Sequence, residues 1–189
     1  MKQIAIFASG SGSNAEAIIE HFKAHNGIKV ALVVTNNPDA GVIKIAHSSK
    51  IVSAIVSKNA LNDPEILGRL LTALNIDFIV LAGFLVLVPD YLLQRYPQAI
   101  INIHPALLPK HGGKGMYGMK VHEAVLAGGD TETGITIHFV NERYDEGEVI
   151  LQKSAIVEAA DTSDTIARKV QQLEHEWLPQ TIEKLLLHK

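Results

Sequence analysis

Asn102 and His104 stand two residues apart in "INIHPALLPK" (Ile101–Lys110), a run that otherwise reads as a buried strand broken at Pro105. Polar groups inside an apolar strand need partners or a chemical task. Residues i and i+2 of a strand share a face, so the two side chains project together. The amide brings N–H donors, and the imidazole can donate, accept or carry a proton near neutral pH. Together they could cradle an oxyanion and manage one proton. A satisfied Asn and His bracing a loop would read the same way. A metal is a third reading, but His104, His111, His122 and His138 fit no standard ligand spacing, and "HEAV" at His122 is not H-E-x-x-H.

Two further stretches carry chemistry. "YDEGEV" (Tyr144–Val149) sets Asp145 beside a second acid and Gly147. An aspartate brought against His104 is expected to raise the imidazole pKa and fix its orientation, although alone the stretch is a polar hairpin turn. "GSGSN" (Gly10–Asn14) follows the first strand pattern, and with Ala15 it satisfies G-x-G-x-x-A. Glycines there permit a tight turn and close backbone approach, and the exposed N–H groups favour an anion such as phosphate. A plain strand-to-helix turn with Ser or Asn caps would use the same residues. A dinucleotide site expects an acid at the end of the second strand to hold a ribose; "TNNPD" (Thr35–Asp39) has Thr35 and Asn36 there. The loop therefore reads as a phosphate site and not an NAD site.

The elements that must hold these groups follow from periodicity. Strands are predicted at Gln3–Ala8, Lys29–Val34, Ile51–Val56, Asp77–Ala82 and Ala99–Ile103, with helices at Asn14–Ala24, Ala40–Ser49, Asn62–Leu74 and Asp90–Arg95. Asp63 and Pro64 suit an N-cap and first-turn proline. The alternation implies an α/β fold, a Rossmann-like doubly wound, mostly parallel sheet with helices on both faces. Strand carboxyl ends line the ligand crevice of such a sheet, which is where Asn102 and His104 fall. After residue 115 the rhythm changes. A helix at Val121–Ala127 precedes two alternating strands, 133–140 and 148–157, separated by "NERYDEG". They are expected as a less-covered, antiparallel part of the sheet. Asp161–Leu187 is a long last helix capped by Asp161 or Thr162, with Pro179 expected to kink or interrupt it.

Bulk properties exclude several classes. The chain of 189 residues is 47% hydrophobic with formal net charge −3, so one globular domain without a nucleic-acid groove is expected. It has no cysteine, which removes disulfides, zinc–thiolate sites and a thiol nucleophile. The N-terminal apolar run is too short for a signal peptide and no segment approaches ~20 continuous apolar residues. A cytoplasmic protein without membrane partners is the expectation.

"FASGSGSNAEAI", "VLAGF", "INIHPALLPK", "GITIHFV" and "YDEGEVILQ", in this order and at these intervals, resemble the folate-dependent formyltransferases, and within them the phosphoribosylglycinamide formyltransferases of purine biosynthesis. The resemblance runs from residue 1 to the last helix. It implies one formyltransferase domain over 1–189, with a nucleotide-binding half (1–100) and a folate-binding and catalytic half (101–189). It implies that the amine of glycinamide ribonucleotide attacks the formyl carbon of 10-formyltetrahydrofolate as co-substrate, without metal, ATP or covalent enzyme intermediate. "ASGSG" is not the G-x-S-x-G of a nucleophile elbow. The resemblance assigns catalysis to Asn102, His104 and Asp145, the nucleotide to Gly12, Ser13, Asn14 and Glu174, and the folate to Leu85, Val86, Leu87, Val88, Asn102, Asn141, Tyr144 and Asp145. His138 stands as a supporting histidine. Small molecules are the expected partners, and a monomer or weak homodimer the expected state.

The chain departs from the family's usual form in two places. Leu85-Val86 stands where Met-Arg is common, with the next proline one residue closer, and Pro64-Glu65 stands where an arginine is common. Both remove positive charge from the folate side. "HGGKGMYG" (His111–Gly118) is also unusual, and its glycines predict a mobile loop by the cleft. Three rivals remain. A formyltetrahydrofolate hydrolase shares the Asn-His-Asp set but usually carries an N-terminal regulatory domain. A methionyl-tRNA formyltransferase needs a further RNA-binding domain and basic patches. A non-catalytic phosphate-binding module would keep "GSGSN" and have no use for the other three residues.

Overall fold

The computed structural model describes residues 1–187. The chain runs β1 (Lys2–Phe7), α1 (Ser13–Phe22), β2 (Ile28–Thr35), α2 (Val42–Ser48), β3 (Val52–Ile55), α3 (Lys58–Asn62), a π-helical turn (Pro64–Gly68), α4 (Arg69–Ala73), β4 (Phe78–Leu81), α5 (Asp90–Arg95), β5 (Ile100–His104), α6 (Met119–Ala127), β6 (Glu132–Phe139), β7 (Val149–Ile156) and α7 (Ser163–Leu187). The strands form one sheet in the order β3-β2-β1-β4-β5-β6-β7. β1 to β5 are parallel, and β6 and β7 add antiparallel at one edge. The α/β class, the doubly wound order and the change of direction in the C-terminal third match the expectation.

Two apolar layers sandwich the sheet. Ile4, Ile6, Val80, Ile101 and Ile103 face α1 and α7. Ala5, Phe7, Ile79, Leu81 and Ile100 face α3, α4 and α5. Covered on both sides, β1 and β4 are almost continuously apolar, whereas edge strand β7 alternates and leaves Val149 and Ile156 exposed. The chain winds outward from β1 to β3, returns, and winds the other way from β4. The order therefore reverses between β1 and β4, and a crevice opens at their carboxyl ends.

Two predicted elements differ. The helix expected over Asn62–Leu74 is divided into α3, the π-helical turn and α4. Pro64 has no N–H and disfavours a helical residue before it, so the chain breaks at Asp63. The Asp63 carboxylate then accepts from the Glu65 N–H at 2.8 Å and caps the next turn, as its type predicts. The interruption expected at Pro179 does not occur, and α7 runs through it. Pro179 is buried with Leu178 and Ile182, so packing holds the turn that the missing hydrogen bond weakens. Thr162 caps α7, its Oγ1 accepting from the Thr165 N–H at 3.3 Å. No helix among the described residues is long and apolar enough to cross a membrane.

Candidate active site

The crevice is a cavity of about 560 Å³ walled by the Gly10–Asn14 turn, the Leu81–Val88 segment, the end of β5, loop residues 113–118, residues 143–145 and Glu174 of α7. Of the expected site residues, Gly12, Ser13, Asn14, Leu85 to Val88, Asn102, His104, His138, Tyr144, Asp145 and Glu174 all reach this wall. Asn141 does not. Its Oδ1 accepts from the Arg143 N–H at 2.9 Å and shapes the loop instead, a local Asx turn that competes with outward projection.

The turn from β1 to α1 depends on Gly12. It sits at φ +87°, and an added Cβ would lie 2.8 Å from Cα of Val42. Only glycine lets the turn close against α2 there. Ser13 is tied to α7, its Oγ accepting from Gln171 Nε2 at 3.1 Å. Gln171 precedes Glu174 by three residues, one turn of the same helix face. That spacing could have revealed it beside Glu174, but the sequence reading passed over it. Glu174 is half-buried at the cavity edge, and desolvation pushes its carboxyl up to about 7, with the Asn14 amide pulling back. Asn14 Oδ1 is buried with no hydrogen-bond partner among the described residues. Ser9, also missed, joins the two sides of the crevice. Its hydroxyl donates to Asn36 Oδ1 at 2.5 Å and accepts from the Leu85 N–H at 3.0 Å.

On β5, Asn102 and His104 share the face opposite Ile101 and Ile103, as the i, i+2 spacing predicts. Antiparallel β6 sets His138 directly across from Asn102 and Thr136 across from His104. His138 Nδ1–H donates to the Phe139 carbonyl at 2.8 Å, which leaves Nε2 to accept from Asn102 Nδ2 at 3.1 Å. The other Asn102 N–H reaches Asp145 Oδ1 at 3.3 Å. Thr136 Oγ1 donates to the Ala106 carbonyl at 2.7 Å and accepts from the Leu108 N–H at 3.0 Å, holding the chain that leaves β5.

Asp145 completes the cluster from the β6–β7 connection, with φ +58°, a left-handed conformation that Asp tolerates better than most residues. Gly147 makes the turn back possible, because a Cβ there would collide with the Phe139 carbonyl. Asp145 Oδ2 lies 3.5 Å from His104 Nδ1 and accepts from the Gly113 N–H at 2.9 Å. Burial alone would raise this carboxyl. The neighbouring His138 and His104 and the Gly113 N–H outweigh it and hold Asp145 below the ordinary carboxylate range. The expected rise of the His104 pKa is corrected. His104 is 3% exposed, and desolvation of its charged form lowers the pKa despite the pull of Asp145 and of the His111 carbonyl.

The loop between β5 and α6 is fastened across this cluster. His104 Nε2–H donates to the His111 carbonyl at 2.8 Å, and His111 Nε2 meets Asp130 Oδ2 at 2.5 Å. Lys110 Nζ donates to Asp130 Oδ1 at 2.8 Å. With Nε2 carrying its hydrogen, neutral His104 turns the Nδ1 lone pair toward Asp145, so the two together can accept one proton. Among the described residues no group of three or more His, Asp or Glu is placed to hold a metal ion.

A family model described as formyl transferase matches residues 2–182. The chain is 39% identical over 191 residues to the phosphoribosylglycinamide formyltransferase of Bacillus subtilis, covering 98% of this chain and 95% of that one. It is 44% identical over 181 residues to the chloroplastic phosphoribosylglycinamide formyltransferase of Arabidopsis thaliana, covering 92% of this chain. The chain spans 62% of that relative's length and 61% of its Vigna unguiculata counterpart's. The crystal structure of phosphoribosylglycinamide formyltransferase from Bacillus Halodurans superposes with a TM-score of 0.88 at 38% identity, over 99% of this chain and 96% of that one.

Proposed function

The chain belongs to the formyl transferase family, and from that premise we propose that it transfers the formyl group of 10-formyltetrahydrofolate to the amine of glycinamide ribonucleotide, a step of purine biosynthesis. The observation that carries this reading is the meeting of Asn102, His104 and Asp145 on one wall of the crevice whose other wall is the Gly10–Asn14 turn. A phosphate-binding module has no use for the first wall.

The nucleotide's phosphate rests on the N–H groups at Gly12, Ser13 and Asn14, with Glu174 toward its ribose. The first hundred residues supply most of this half, and the later residues the folate and catalytic half. The folate ring lies between Leu85–Val88 and the Tyr144–Asp145 loop. The free amine attacks the formyl carbon, the new C–N bond forms, and the carbonyl electron pair moves to oxygen. Asn102 and His104 hold that oxygen. For this His104 must exchange the His111 carbonyl for substrate, so the glycine-rich 111–118 loop has to yield. The proton shed by the attacking amine passes to the His104–Asp145 pair and on to the folate nitrogen, and the bond between formyl carbon and that nitrogen breaks. Small, charged, water-soluble substrates support the cytoplasm as the compartment, and a single-chain cleft supports a monomer or weak dimer.

The test is the release of tetrahydrofolate followed spectrophotometrically, with and without glycinamide ribonucleotide. Wild type should turn over only with the nucleotide, and His104→Ala should lower kcat by about 1000-fold while keeping most ligand affinity. Turnover without the nucleotide would make the protein a hydrolase, and binding of nucleotide without any turnover would make it a phosphate-binding module.

A further inference from the structure

The donors expected to meet the developing oxyanion are both engaged within the protein. Asn102 Nδ2 holds His138 and Asp145, and His104 Nε2 holds the His111 carbonyl. Lining the same cavity is an imidazole that is not engaged. His122 of α6 is 6% exposed, and Nδ1 is fully buried with no hydrogen-bond partner among the described residues. Since the residue still lines the cavity, Nε2 is the edge that reaches it. A buried donor without a partner is rarer and more costly than a buried acceptor. The favoured tautomer of the neutral ring therefore leaves the Nδ1 lone pair in the interior and aims Nε2–H into the cleft. Burial and the nearby His104 both keep this imidazole neutral.

We infer that His122 is a third hydrogen-bond donor to the reacting centre, its Nε2–H meeting the formyl oxygen as that oxygen becomes negative. The inference rests on the formyl-transfer reading above. It explains a feature that packing alone leaves unexplained. An apolar side chain of similar volume would fill the base of α6 between Val121 and Val125 without burying an unpartnered nitrogen. The buried Nδ1 lone pair stays without a partner whether or not substrate is bound, a cost in stability accepted for the donor that the ring presents at Nε2. His104 can keep its own proton traffic with Asp145, since the donor role no longer falls on it and Asn102 alone.

The experiment compares His122→Leu and His122→Gln with wild type in the nucleotide-dependent assay, with separate binding of nucleotide and folate and thermal unfolding. Leu should lower kcat by about 100-fold, the usual loss for one oxyanion donor, with both KM values within about threefold and Tm unchanged or higher. Gln, whose amide N–H reaches toward the Nε2 position, should recover to within about tenfold of wild type. A kcat for Leu within about twofold of wild type overturns the inference. So does a kcat loss that comes with a lower Tm, a change confined to KM, or a Gln variant no better than Leu. A wild type that never transfers the formyl group removes both this inference and the reading it rests on, whereas an active wild type with indifferent variants removes this one alone.

Discussion

At one end of the cleft, the Gly10–Asn14 turn offers backbone N–H groups set by five consecutive residues and buttressed by α7 through Gln171 and Glu174. At the other end, Asn102 and His104 come from β5 and Asp145 from the β6–β7 connection, which meets them only through the antiparallel pairing of β6 with β5. On the function proposed above, the first end is a local device that binds by backbone dipoles and close approach, and the second a tertiary device that acts by side-chain geometry and desolvation. The difference predicts that damage to each end should show in a different kinetic parameter.

The sharpest way to break this separation is Asp145→Asn. The amide keeps the shape but loses the charge that faces His104, so the pair can no longer take up a proton. The expected loss is about 100-fold or more in kcat, with nucleotide affinity little changed. Steady-state kinetics with an independent nucleotide titration checks this, and a change confined to nucleotide affinity would show that the two ends are not separate.

Gly12→Ala attacks the other end. The new Cβ meets Val42, and φ +87° is strained for any L residue. About 2 kcal/mol of stability should be lost. Nucleotide affinity should fall about tenfold because the turn shifts off the phosphate. Folate affinity should stay constant. Calorimetric titration of each ligand, with denaturant unfolding, separates these effects.

The same contrast decides what was legible in the sequence. The turn after β1 could be read from "GSGSN" because its geometry is local, and β5 could be read to within one residue at each end, its shared face following from alternation. The pairing of Asn102 with His138 was not visible from spacing, since it depends on the direction of β6. The sign of the His104 shift was misread because a partner residue can be guessed from sequence, whereas desolvation is a property of the finished fold. Asn141 was assigned to the folate by resemblance; its Oδ1 is taken up by the Arg143 N–H, and the residue is not among those lining the cavity. Gln171 was passed over and His122 was weighed only as a metal ligand, because an amide on a helix and a histidine in "HEAV" carry no local mark of what they face.

Glu174 provides the finest test, because it belongs to the local end yet owes its state to burial. Its carboxyl is raised to about 7 from an ordinary 4.5, with burial as the cause. A carboxyl whose folded pKa is raised binds more protons folded than unfolded across that interval. Its contribution to stability is therefore fully present below about 4.5 and is lost as the pH rises through about 7. In the ionised form it is held only by the Asn14 amide, which offsets part of the burial cost. Glu174→Gln keeps a donor at every pH and removes the titration. Between about pH 5 and 8, the difference in unfolding free energy between variant and wild type should change by on the order of 1 kcal/mol in favour of the variant as pH rises. Denaturant unfolding at several pH values measures this difference. Parallel curves would mean that the carboxyl titrates as an exposed one and that α7 closes the nucleotide end less tightly than the burial of Glu174 requires.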